Sequence, residues 1–137
     1  MKKYIFIIFC LLTTLACDKV YINGDLDGMW RLVSVETPDS TMTPHQIFYS
    51  YQRHLTQVGK HFDEGFPERF LGNLYYEGDV LTMSGFYDFP YESQPATLEK
   101  LSEYYLYSDS TVFTILKLDD EMLIMKNEER TYTLRKW

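Results

Sequence analysis

Hydrophobic and polar positions alternate along most of this chain, with a period of two. Met29 to Glu36 (MWRLVSVE) reads as a strand. Thr37 to His45, with Pro38 and Pro44, reads as a loop. Gln46 to Val58 alternates throughout. One face carries Ile47, Tyr49, Tyr51, Arg53 and Leu55; the other carries Phe48, Ser50, Gln52, His54 and Thr56. The first face is the more apolar and is expected to point inward. Gly59 to Pro67 is a polar loop. Arg69 to Phe86 carries the clearest hairpin signal, because Gly78-Asp79 suits a two-residue turn. That turn pairs Glu77 with Val80, Tyr76 with Leu81 and Leu74 with Met83. It sends Leu74, Tyr76, Leu81 and Met83 to one face. The same register sets Gly72 opposite Gly85, which is either a sharp bend in the wall or a notch that admits a ligand.

The period changes after the aromatic stretch Phe86 to Tyr91 (FYDFPY). In Ser93 to Tyr107, Pro95 suits a first helical turn, and Leu98, Leu101 and Tyr105 fall on one helical stripe. Alternation returns in Thr111 to Leu118, Glu121 to Lys126 and Arg130 to Trp137, with turns at Asp119-Asp120 and Asn127 to Glu129. The prediction is an all-β, mainly antiparallel meander with one short helix. Closing about eight such strands into a barrel removes the exposed edges.

The first residues obey different rules. Lys2 and Lys3, the apolar run Tyr4 to Leu12 and the small residues before Cys17 form a secretory signal pattern over residues 1–16. The apolar run is shorter than the ~20 residues that span a bilayer. Thr14-Leu15-Ala16-Cys17 resembles the lipobox of bacterial lipoproteins, which implies acylation of Cys17. Cys10 leaves with the signal, so Cys17 has no disulfide partner, and a lipid would cap it. Residues 17–27 are then lipidated cysteine and tether, and residues 28–137 form one domain. The expected address is the bacterial cell envelope, in the outer membrane. The net charge of −7 becomes −9 once Lys2 and Lys3 depart with the signal. So acidic a chain is not expected to bind nucleic acid.

Gly28-Met29-Trp30 at the start of the first strand resembles the Gly-x-Trp opening of lipocalins. In that family the Trp plugs one barrel end and an Arg of the last strand packs across it; Arg135 is the residue implied here. The whole span 28–137 is similar to small lipocalin-like lipoproteins of Bacteroides and its relatives, including the ending Tyr132, Arg135, Lys136 and Trp137. The resemblance implies a lipocalin-like β-barrel and an envelope address. It implies no activity, because fold does not dictate function.

No spacing of His45, His54 and His61 matches a common metal motif, and Asp63 and Glu64 beside His61 read as a solvated loop. No nucleophile motif or phosphate-cradling glycine loop occurs, so neither enzymatic activity nor a cofactor is expected. Two binding functions stay open. In one, the barrel holds a small hydrophobic or amphipathic ligand against Tyr49, Tyr51, Phe70, Leu74, Tyr76 and Met83, with Gly72 and Gly85 giving room. In the other, those bulky residues fill the barrel. The domain then contacts an envelope protein through the loops FYDFPY and HFDEGFPERF.

Overall fold

A computed structural model describes residues 22–61, 68–88 and 94–137. The chain forms β1 (Gly28–Glu36), β2 (Thr41–Met42), β3 (Ile47–Gln52), β4 (Leu55–Lys60), β5 (Arg69–Glu77) and β6 (Val80–Asp88). Helix α1 (Leu98–Ser102) comes next, then β7 (Ser110–Leu118), β8 (Met122–Asn127) and β9 (Arg130–Lys136). β1 and β3 to β9 pair in sequence order, and β9 pairs back onto β1. The result is a closed antiparallel barrel of eight strands, with β2 as an extra ribbon on β1. β1 serves three partners. Gly28 to Arg31 pair with β3, Val35 and Glu36 pair with β2, and the opposite side pairs with β9 from Trp30 to Glu36.

Inward positions keep the period of two. Trp30, Leu32, Tyr49, Tyr51, Val58, Phe70, Leu81, Met83, Phe113, Leu123, Met125, Tyr132 and Leu134 all fall in one buried cluster. Burying each such side chain contributes roughly 1.5–3 kcal/mol, which makes this cluster the main source of stability.

The alternating segment Gln46 to Val58 is two strands rather than one. Arg53 turns the chain with a φ of 55°, and Gln52 pairs directly with Leu55. The turn flips the parity of the residues beyond it. Leu55 therefore points outward, half exposed at 51%, while Thr56 and Val58 are buried. Nothing in Arg53-His54 resembles a glycine or asparagine turn, so alternation hid the break. The turn is held from outside the hairpin: the Asn23 side-chain amide donates to the Arg53 carbonyl at 2.8 Å, and the Leu74 amide to that of His54 at 2.8 Å.

The β5–β6 hairpin has the expected register from Glu77↔Val80 to Asn73↔Ser84. There a bulge intervenes, and Leu71 pairs with Tyr87. Gly85 takes a φ of +64° and faces outward, where an added Cβ would lie 2.8 Å from the Asn73 amide nitrogen. Phe86 swings inward instead. Its ring lies over Gly72, where a Cβ would meet it at 2.8 Å. The expected Gly72–Gly85 pair is therefore not formed: the bulge separates the two glycines, and an aromatic ring fills the space over Gly72.

Helix α1 is shorter than its stripe suggested. The Thr97 hydroxyl caps it, accepting from the Lys100 amide at 3.2 Å. Leu101 is buried, but Leu98 is 48% exposed, and Tyr104 and Leu106 are the other buried anchors. The end is a Schellman turn: the Leu106 amide reaches the Leu101 carbonyl at 3.1 Å and the Tyr105 amide that of Ser102 at 3.1 Å. Tyr105 occupies the left-handed position, with a φ of 65°, that glycine usually takes.

Candidate functional site

The barrel interior, its two ends and its outer wall are the places a ligand would go. Inside, the predicted pocket wall is packed. Tyr49 and Met83 are 0% exposed, Phe70 1%, Tyr51 2% and Leu74 4%. Tyr76 is only partly buried and packs at the edge of this cluster. Three interior hydroxyls lie in this packing. Among the described residues, Tyr51 has only the Met83 sulfur, at 3.6 Å, and the buried Thr56 and Thr111 hydroxyls have no hydrogen-bond partner.

The Gly28 end is closed by Trp30 and a 3-10 turn, Gly24–Leu26. The Trp30 indole N–H donates to the Leu26 carbonyl at 2.8 Å. The cation across the indole is Lys136 and not Arg135. Trp30 pairs with Lys136 in the β1–β9 register, so both lie on the inner face, while Arg135 is exposed on the outer one. Lys136 Nζ sits 4.5 Å from the ring centroid and donates to the Asp27 carbonyl at 2.5 Å and the Asp25 carbonyl at 3.0 Å. Burial pulls its pKa below the usual lysine value, against the opposing pull of Asp25 and Asp27. Gly28 suits this place chiefly through its φ of +130°, which side chains rarely adopt; an added Cβ would also lie 2.8 Å from Lys136 Cε.

The opposite end is closed by α1. Tyr49 from β3 donates to the Tyr104 carbonyl at 2.5 Å, and Tyr132 from β9 donates to the Tyr105 carbonyl at 2.5 Å. Burial pushes both phenols well above their ordinary pKa, so they stay protonated donors. Tyr104 in turn donates to Glu68 at 2.6 Å, and that hydrogen bond is the main reason the Glu68 pKa is lowered. Lys100 lies 3.4 Å from the same carboxylate.

The outer wall carries open space. A groove of about 490 Å³ runs between β3 and the Thr43–Gln46 connection, lined by Arg31, His45, Phe48, His61 and Trp137 among others. Phe48 lies 5.0 Å from Trp137 and 5.8 Å from His61, both edge to face. Alternation alone gave no reason to single out Phe48 or Trp137, since both are outward positions.

Of the loop aromatics, Phe86 is buried and Tyr87 is half-buried in β6, while Phe89 to Tyr91 lie outside the described residues. Cys17, Asp63 and Glu64 also lie outside them. Among the described residues no group of three or more His, Cys, Asp or Glu is placed to hold a metal, and no helix is long and apolar enough to cross a membrane.

A closed eight-stranded antiparallel meander, with an N-terminal Trp plugging one end and a helix at the other, is a lipocalin-type barrel. The chain belongs to the lipocalin-like domain family, whose model matches residues 10–137. Two solved structures share the fold. A lipocalin-like protein from Bacteroides uniformis has a TM-score of 0.66 at 19% identity, over 83% of this chain and 100% of that one. An uncharacterized protein from Bacteroides eggerthii has a TM-score of 0.65 at 18% identity, over 82% of this chain and 99% of that one. Comparison with curated proteins gives no match.

Proposed function

We propose that this chain is an envelope lipoprotein, anchored through Cys17, whose filled barrel is a rigid scaffold that contacts an envelope protein through its outer wall. The filled interior carries this reading: the residues best suited to grip a ligand grip each other instead. The loops lose much of their claim to the contact, because Phe86 is spent on the core. The wall of β5, β6 and β7 offers an alternative. Tyr75, Thr82 and Val112 form one outward row, and Val80 pairs with Thr114 in the next. Tyr75 is 60% exposed, Val112 51% and Leu116 57%, an apolar strip suited to a protein partner.

Three measurements test the reading. Cys17→Ser should move the protein from the membrane fraction to the soluble envelope fraction; unchanged membrane association would remove the anchor. Solvent extraction of the denatured Cys17→Ser protein should release no stoichiometric small molecule, and finding one would restore the carrier. A photo-crosslinking residue at Val112 should capture one discrete envelope protein, and Leu116→Lys should abolish the adduct. Capture that survives Leu116→Lys would place the contact elsewhere.

A further inference from the structure

Two arginines face each other on the outer wall. Arg31 of β1 and Arg135 of β9 are directly paired, and both are exposed. Like charges directly opposite on a sheet are destabilising. The usual remedy is an interposed carboxylate, yet neither guanidinium makes an ion pair or side-chain hydrogen bond among the described residues. This occurs in a chain of net charge −7, where acidic side chains outnumber basic ones 20 to 13. Arg31 opens onto the 490 Å³ groove. On its other side it pairs with Phe48, whose ring meets that of Trp137. Trp137 is 68% exposed, the most exposed large hydrophobic residue described. Among the described residues no acidic side chain lines the groove, which adds His45 and His61 instead.

We propose that this groove is a binding site for a small aromatic anion, a planar ring bearing a carboxylate or sulfonate. The ring stacks on Trp137 beside Phe48, and the anion sits at the Arg31 edge of the groove, with Arg135, the cross-strand partner of Arg31 just outside the lining, as its second source of paired N–H donors. The bound anion relieves the repulsion that the free protein tolerates. The site lies outside the barrel and does not depend on the β5–β7 surface.

The probe is 8-anilinonaphthalene-1-sulfonate, with N-phenyl-1-naphthylamine as the same aromatic body without its charge. Both are titrated against the full chain carrying Cys17→Ser, monitoring probe emission and tryptophan quenching. The expected result is one sulfonate site per chain, at least tenfold tighter than the neutral amine. Arg31→Gln and Arg135→Gln should each weaken the sulfonate about tenfold and leave the amine unchanged. Trp137→Ala should weaken both, and Trp137→Phe should restore most of the affinity. Without ligand, Arg135→Gln should raise the thermal midpoint, a gain that a merely structural arginine would not give. Equal affinity for the two probes, sulfonate binding indifferent to either arginine, or no binding at all would overturn the proposal.

Discussion

At Gly28 two constraints meet. Its φ of +130° is one that side chains rarely adopt, and the stem of Lys136 occupies the place of a Cβ. Gly28→Ala should therefore cost about 1–3 kcal/mol in chemical denaturation, most of it backbone strain. Thr111 presents the opposite case. Its hydroxyl is buried with no partner among the described residues. Thr111→Val keeps the shape and removes the unsatisfied group, so it should stabilise by about 1 kcal/mol in the same assay. At this scale the sequence was legible where parity could be counted. Parity sends Tyr49, Tyr51 and Phe70 inside, where they are buried, and the resemblance does the same for Trp30. The cation over Trp30 was misassigned because the resemblance pointed to Arg135, whereas alternation from Tyr132 and Leu134 leads to Lys136. The facing arginines could not be read at all. Their opposition depends on the register of the first strand against the last, which no local pattern encodes.

The helix illustrates how much of an element lies outside its own sequence. Five residues cannot hold a helix in water. α1 persists because two barrel tyrosines take up the carbonyls of Tyr104 and Tyr105. Tyr49→Phe should leave a buried carbonyl unpaired, at a cost of about 1–3 kcal/mol. Hydrogen exchange should show the Tyr104 and Leu106 amides opening well before those of the β5–β6 hairpin. Glu68 adds a pH dependence. Its folded-state pKa is lowered, first by the Tyr104 hydrogen bond. Its contribution is then fully present above the ordinary carboxylate range near pH 4.5 and lost as the pH falls through the lowered folded value. Acidification should therefore loosen α1 before the barrel melts, and Glu68→Gln should flatten that dependence. The stripe Leu98, Leu101, Tyr105 found the helix but only part of its buried face: Leu101 is buried and Tyr105 packs against the core, yet Leu98 is exposed. The chain leaves helical geometry at Tyr105, so periodicity stops applying where the main anchors, Tyr104 and Leu106, begin.

For the whole molecule, a meander of about eight strands was readable because each strand joins its neighbour by a short turn. The missed turn at Arg53-His54 changed the assignment of a single segment, and the β5–β6 register held down to the bulge. Whether the barrel was hollow could not be read, since large side chains can line a cavity or fill it. Phe86 decides much of this, and its inward turn depends on a bulge that counting residues does not reveal.

β1 joins β9 along most of its length, and this seam has a consequence for how the chain ages. Apart from the two-residue β2 ribbon the ring has no loose border, so its most vulnerable segment is the one whose removal creates two. Trimming from Trp137 back through β9 would unzip the ring, baring β1 and β8 together. Limited digestion that removes β9 should make the protein aggregate in one step, while cleavage of the Pro38–Ser40 connection should leave its oligomeric state unchanged. The clasp of the ring is its last strand.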